Sequence, residues 1–224
     1  MFPNLQPQSP LLFFLKIVPL GQALALPAGG AQGVAKLDVT LDPSTANPYL
    51  VLAEDRKRVT HRDERQDLPD NPERFDTMAI VLGAEGFTGG RHYWEVEVGE
   101  KNLWTLGVCR EDGRRKGHIV FLPKNGTWII WQHAGQCEAN ASPPTLLSVS
   151  VRPRRVGIFL DYEAGEVSFY NVTDKSHLFT FTDTFSGVLC PYFNPDNLPS
   201  PSSGWRESLS RTVTPAAETV PSQH

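Results

Sequence analysis

The stretch GRHYWEVEVG, at positions 90–99, constrains the fold of this chain more than any other segment. Trp94, Val96 and Val98 fall on one side of an extended strand, while Tyr93 and two glutamates fall on the other. A period of two residues indicates a strand that turns one face toward an apolar core. The segment therefore predicts a sheet with one buried face, which is typical of antiparallel architectures.

Short apolar runs of the same kind recur along the middle of the chain. The predicted strands are Leu50–Leu52, Ala79–Leu82, His92–Val98, Trp104–Cys109, Trp128–Trp131, Val156–Leu160, Val167–Tyr170 and Leu178–Phe181. The sequence DYEAGE at 161–166 predicts a hairpin turn in which Gly165 adopts a positive φ. Because no segment has sustained helical periodicity, we expect an all-β fold, a two-sheet antiparallel β-sandwich.

Composition divides the chain into three regions. Residues 1–36 are rich in Pro, Gly, Ala and Gln and predict a flexible extension, 37–194 predict the folded domain, and the Pro/Ser/Thr-rich residues 195–224 predict a disordered tail. The apolar run Leu11–Val18 is shorter than the roughly 20 residues that span a bilayer. A secretory signal stays open there, although the run has no basic start and Lys16 interrupts it.

The net charge and the reactive side chains argue against several classes of function. The net charge of −4 argues against a nucleic-acid binder, whose affinity comes from neutralising phosphates. The three cysteines match no disulfide or metal pattern and favour a reducing, cytoplasmic compartment. No two histidines have a metal-ligand spacing, so we predict no metal and no cofactor. Glu95 and Glu97 could form an acid/base pair, but a polar strand face is the favoured interpretation. We therefore expect a non-enzymatic binding module.

Five motifs together resemble a PRY-SPRY domain of the butyrophilin and tripartite-motif type. They are LDPSTANPYLVLAED at 41–55, LPDNPERFD at 68–76, VLGAEGFTGGRHYWEVEVG at 81–99, WTLGVCRE at 104–111 and VGIFLDYEAGEVSFYNVTD at 156–174. The resemblance implies a bent two-sheet sandwich with a PRY part over about 38–90 and a SPRY part over about 91–194. It also implies a module that recognises a protein partner through loops at one side and has no catalytic centre.

The same resemblance implies two biological settings. One is immune regulation, or target recognition for a ubiquitin-ligase-type protein. The alternative is a butyrophilin-type sensor of small phosphorylated ligands, at the cytosolic face of a membrane through a longer relative. We expect no membrane span in this chain itself.

Candidate partner-binding residues follow from the segment GTWIIWQHAGQ at 126–136, which matches the partner surface of tripartite-motif relatives. If Trp128 faces the core, alternation turns the intervening residues outward. This outward set is Ile129, Trp131 and His133. An outward tryptophan is the kind of residue that dominates binding energy at interfaces. The alternative, that Trp131 packs against the second sheet of the sandwich, stays open.

Three further residues are candidate contacts, and one strand of the family pattern is missing from the sequence. Met78 and Ala79 fall at a position that varies in the family and are candidates for the same surface, and Lys116 is a candidate contact for an anion. The family adds an apolar strand after CPYF at 190–193, whereas this chain continues with Pro and Ser. We therefore expect an exposed sheet edge beside CPYF and a truncated product of a longer gene.

Overall fold

Strands dominate the computed structural model, which describes residues 14–19 and 34–195. In chain order they are β1 (Leu15–Ile17), β2 (Val34–Lys36), β3 (Leu50–Leu52), β4 (Arg58–His61), β5 (Val81–Leu82), β6 (Arg91–Glu97), β7 (Trp104–Arg110), β8 (Thr127–His133), β9 (Gln136–Ala139), β10 (Thr145–Leu146), β11 (Arg155–Asp161), β12 (Glu166–Asn171), β13 (Ser176–Thr182) and β14 (Leu189–Asn194). One 3-10 helix spans Pro123–Asn125. The described residues contain no α-helix, so the predicted all-β class is confirmed.

Two sheets account for every strand. The first sheet has the order β13-β12-β11-β6-β1-β4-β3, with β2 added in parallel to β6. The second has the order β10-β9-β8-β7-β14-β5. All pairings except β2 with β6 are antiparallel, which confirms the predicted sandwich. Each of the eight predicted strands lies within or overlaps an observed one.

The core lies between the two sheets, and the alternation in β6 explains it. Trp94 and Val96 turn inward and join Leu106 of β7 and Ile130 of β8 in one buried cluster, which we call the inner cluster. The strand β6 pairs along its whole length with β11, where Trp94 lies opposite Ile158. Large apolar side chains from both sheets therefore fill one continuous interior.

The opposite face of β6 carries a paired polar network. Glu95 is 0 % exposed, accepts a hydrogen bond from the Tyr93 hydroxyl at 2.9 Å, and lies 3.3 Å from the Arg155 guanidinium. Arg155 also reaches Glu97 at 3.4 Å, and the Lys16 ammonium lies 3.1 Å from the same carboxylate. Partial burial raises the pKa of Glu97, but hydrogen bonds and charge from Lys16 and Arg155 outweigh this effect and hold the pKa below its ordinary value. Both carboxylates are thus engaged in bonds between strands, which fits the polar-face interpretation.

The turn at 161–166 forms as predicted. Asp161 pairs with Glu166 across the hairpin, and Gly165 has φ 68°. A Cβ at Gly165 would lie 1.8 Å from the Asp183 carbonyl oxygen. The position therefore requires glycine for its conformation and for its close approach to the neighbouring backbone.

Two expectations about the ends of the domain need correction. The flexible extension predicted over residues 1–36 is wrong for 14–19 and 34–36, because β1 and β2 are strands of the first sheet. The exposed edge expected beside CPYF is also wrong, because β14 pairs with β7 on one side and β5 on the other. The predicted disordered tail lies outside the described residues from position 196 onward.

Candidate partner-binding surface

Strand β8 carries the candidate residues and lies between β7 and β9 in the second sheet. Its register with β7 places Ile130 opposite Leu106 and Trp131 opposite Thr105. Trp128 and Ile130 belong to the inner cluster, whereas Ile129 does not. The alternation predicted for this segment is therefore confirmed: Ile129 and Trp131 turn away from the interior between the sheets.

A second buried cluster lies on this outer face of the second sheet. Its members, the outer cluster, are Phe75, Met78, Ile80, Leu82, Cys109, Ile129, Trp131, Cys190 and Tyr192, with Ile119, Phe121 and Val188 packed against them. Two segments at 75–80 and 117–121 supply side chains that no strand of the second sheet provides. We call these two segments the covering layer.

The covering layer buries two of the candidate contact residues. Ile129 is 0 % exposed and Trp131 is 6 % exposed. The expectation that both side chains face outward to solvent is therefore wrong, although their strand face is right. The physical reason is that the outer face of the second sheet is itself apolar. The covering layer packs over this face and removes it from water.

Arg74 holds the first segment of the covering layer in place. Its buried side chain donates from Nε to the Pro69 carbonyl at 2.9 Å, and from Nη1 to the Pro43 and Ala46 carbonyls at 3.0 and 2.6 Å. Charge-assisted bonds of this kind are about twice as strong as neutral ones. This guanidinium therefore helps to fix the backbone that leads into Phe75, together with the Phe75 amide, which donates to the Thr45 carbonyl at 3.1 Å.

The second segment is tied to the first by polar contacts. The Gly117 amide donates to the Asp76 carboxylate at 2.8 Å. The Lys116 ammonium lies 2.6 Å from Asp70 and donates to the Asn71 carbonyl at 2.8 Å. Lys116, the candidate anion contact, therefore already has a carboxylate partner in this structure.

Val120 is the exposed apolar residue that the covering layer presents. Its side chain is 56 % exposed, whereas its neighbours Ile119 and Phe121 pack against the outer cluster. The Phe121 ring lies edge-on to Tyr192 at a centroid distance of 5.8 Å, and the Asn125 amide donates to the Val120 carbonyl at 2.9 Å. The loop is thus anchored on both sides of an outward apolar side chain.

Sequence reasoning missed Val120, although a signal for it exists. The run Ile119, Val120, Phe121 has three apolar residues in a row. In extended backbone the middle one points away from the other two. If Ile119 and Phe121 are anchored against the protein, Val120 is therefore expected to point to solvent.

The remaining candidates lie at the end of the second sheet where β8 finishes. Met78 is buried in the outer cluster and Ala79 is half-buried. His133 is half-buried at the β8–β9 turn, where Ala134 and Gly135 have φ 49° and 83°. The structure therefore brings Met78 into the same cluster as Trp131 but leaves His133 at the margin.

A pocket opens beside the covering layer at the opposite end of β8. It has a volume of about 300 Å³, and its walls include Arg110, Arg114, Arg115 and His118. The Arg115 guanidinium lies 4.9 Å above the centre of the Phe75 ring. Arg110 forms a 2.5 Å ion pair with Asp112, so part of the positive charge is already compensated.

Two features are absent from residues 14–19 and 34–195. No helix there is long and apolar enough to cross a membrane. No group of three or more His, Cys, Asp or Glu side chains in the same ranges is arranged to hold a metal ion.

The architecture, two open antiparallel sheets with an outer layer of loops, defines a β-sandwich of the kind found in protein-interaction modules. The model of the SPRY domain matches residues 91–202, and that of the PRY, or SPRY-associated, domain matches residues 39–87. The chain therefore belongs to the SPRY family, and the resemblance to PRY-SPRY domains is confirmed.

Three curated relatives show how close the similarity is. Erythroid membrane-associated protein of Mus musculus is 57% identical over 158 residues, which is 70% of this chain and 28% of the relative. E3 ubiquitin-protein ligase TRIM58 of Mus musculus is 52% identical over 159 residues, covering 70% and 33%. Butyrophilin subfamily 1 member A1 of Bos taurus is 51% identical over 158 residues, covering 70% and 30%. The chain thus spans about a third of the length of these relatives.

Two solved structures share the fold. The crystal structure of the TRIM65 PSpry domain has a TM-score of 0.63 at 27% identity and covers 70% of this chain and 84% of that one. The stonustoxin structure has a TM-score of 0.63 at 29% identity and covers 71% and 27%. Homologues among the tripartite-motif ligases and butyrophilins indicate a protein-interaction module.

Proposed function

We propose that this chain recognises a protein partner through the outer surface of the covering layer. The observation that carries the proposal is Val120, an exposed apolar side chain on a loop that Phe121 and Asn125 already hold in place. Because the loop is already held in place, a partner that buries Val120 would lose little free energy to ordering its backbone. More of the interaction energy would then appear as affinity. His133 is the partly exposed candidate at the margin of this surface, whereas the half-buried Ala79 packs against the inner cluster.

Ile129, Trp131 and Met78 have a different place in the proposal. They support the covering layer from below, because each is buried in the outer cluster. A partner would then contact the segments that these side chains hold rather than the side chains themselves.

The biological setting is part of the same proposal. Relatives named as E3 ubiquitin-protein ligases support target recognition for a ubiquitin-ligase-type protein, and butyrophilin relatives support a role in immune regulation. Cytoplasmic action is supported by Cys109, Cys137 and Cys190, which are all buried free thiols, as expected in a reducing compartment.

Val120→Asp is expected to weaken partner binding at least about tenfold, since it places a charge at the centre of the proposed contact. The matched control is Leu146→Asp, because Leu146 is 61 % exposed but lies on β10, at an edge of the second sheet. Quantitative affinity capture from lysate with wild-type protein and both variants is the measurement. Proteins depleted by Val120→Asp and retained by Leu146→Asp would support this surface. An unchanged set in both variants would place the contact elsewhere.

A second candidate function is supported by the pocket that contains three arginines. We propose it as a site for a small phosphorylated ligand in which Arg114, an exposed side chain, contributes free positive charge. Calorimetry with pyrophosphate and phosphorylated metabolites should give binding that Arg114→Ala weakens and Arg152→Ala, a distant exposed arginine, leaves unchanged. The absence of binding heat with every compound would refute this candidate. Lys116→Ala is expected to have a smaller effect, since Asp70 already compensates its charge.

A further inference from the structure

Strand β1 holds together two parts of the first sheet that do not pair with each other. On one side it pairs with β4, where the Ile17 amide donates to the Lys57 carbonyl at 2.7 Å. On the other it pairs with β6, where the Val18 amide donates to the Glu95 carbonyl at 2.9 Å. Within the sheet order of the described residues, β1 is the only element between β4 and β6. We call this position the seam.

The side chains of β1 fit the seam with the alternation of a bound peptide strand. Leu15 and Ile17 are buried in the inner cluster, and Lys16 points to the other face, where it pairs with Glu97 at 3.1 Å. Val18 is also buried, whereas Phe14, directly before the strand, is 38 % exposed. The seam thus recognises an extended segment in three ways. It provides backbone hydrogen bonds from β4 and β6, two apolar sites and one ionic contact.

Among the described residues, the pairing partners of β1 are all remote in sequence. Lys16 lies opposite Arg58 and Glu97, and no pairing joins β1 to the strand that follows it, β2. β1 and β2 instead occupy different stretches of the same edge of β6, since Ile17 lies opposite Val96 and Lys36 opposite Tyr93. β1 therefore binds the sheet through the contacts that an independent peptide would make.

We propose that the seam between β4 and β6 is a strand-binding site whose occupant is the chain's own residues 14–19. The same segment, supplied as a separate peptide, binds there when the tethered copy is weakened. The site is distinct from the covering layer, which lies on the second sheet, and it does not depend on the identity of the protein partner.

The first test weakens the tethered strand in the full chain. Leu15→Ala with Ile17→Ala removes the two inward side chains and leaves the backbone able to pair. Hydrogen exchange at β4 and β6 amides should accelerate at least about tenfold, because these strands lose a neighbour that protects them from local opening. The control Phe14→Ala should exchange like wild type, since Phe14 is exposed. Unchanged exchange in the double variant would overturn the proposal.

The second test restores the strand in trans. A peptide of residues 14–19, extended by lysines for solubility, is added to the double variant at millimolar concentration. It should slow exchange at β4 and β6 again, and a peptide with Leu15→Asp and Ile17→Asp should not. If the double variant does not fold alone, refolding with the peptide should recover cooperative unfolding. Failure of the native peptide to restore protection, or to recover folding, would refute the strand-binding site.

Discussion

Trp131→Ala is expected to destabilise the domain by about 3–5 kcal/mol, the usual cost of truncating a buried aromatic residue. Trp131 lies on the outer face of the second sheet but is only 6 % exposed, because the covering layer packs over it. Its removal would leave Met78 and its neighbours above a cavity. Urea denaturation of wild type and variant gives the free energy of unfolding directly.

The matched control for this prediction is His133→Ala, two residues along the same strand and half-buried. We expect it to change the free energy of unfolding by about 0.5 kcal/mol or less. Equal effects of both variants would contradict the packing described for Trp131. The result also governs how binding data are interpreted, since a loss of partner binding in Trp131→Ala would follow from a disordered covering layer without any direct contact.

Gly107→Ala is expected to cost about 3 kcal/mol or more, since overpacking costs most where the neighbours cannot move. A Cβ at this position would lie 2.1 Å from the Trp128 carbonyl oxygen and 2.8 Å from the Ile129 Cα. Both atoms belong to the backbone of β8, and β7 is fixed between β8 and β14. Thermal and chemical unfolding should both report the loss.

Gly113→Ala provides the comparison for this substitution. Gly113 does not have a positive φ, and its Cβ would approach nothing closer than the Arg110 carbonyl at 3.1 Å. We expect a change of about 0.5 kcal/mol or less for this surface loop position. A Gly107→Ala variant as stable as Gly113→Ala would show that β8 can move away from β7.

Strands with strong apolar alternation could be predicted from the sequence, and those without it could not. The segments of β6, β11 and β12 are long enough to show their period, so their positions follow from local residues. Strand β1 spans three residues in a region without clear periodicity, and its partners lie about 40 and 80 residues further along the chain. Strand β1 forms because of its contacts with β4 and β6, and the local sequence gives no sign of them.

Strand β14 illustrates a second reason for a missed element. It contains Pro191, and proline argues against a central strand because it lacks an amide donor. The Pro191 carbonyl still takes part in the sheet, since it accepts a hydrogen bond from the Gly83 amide at 2.8 Å. A side chain at Gly83 would lie 2.8 Å from the proline ring, so the pairing requires a glycine opposite. This dependence of Pro191 on Gly83 cannot be recognised from the sequence around either residue alone.

The candidate surface was predictable only in part for a similar reason. Alternation within β8 assigns Ile129 and Trp131 to the correct face of their strand. Whether that face meets solvent depends on residues 75–80, which lie about 50 residues earlier in the chain. The pairing of Lys116 with Asp70 is likewise set by the tertiary fold and not by neighbouring residues.

The position of β1 also has a consequence for how the protein is made. A ribosome produces Lys16 about 80 residues before Glu97, its partner on β6. At cellular translation rates this interval lasts roughly 4–16 s. During that time β1 has no completed sheet to join, so its apolar residues are available to chaperones. Completion of the first sheet must therefore wait for the segment synthesised later, rather than proceed in the order of synthesis.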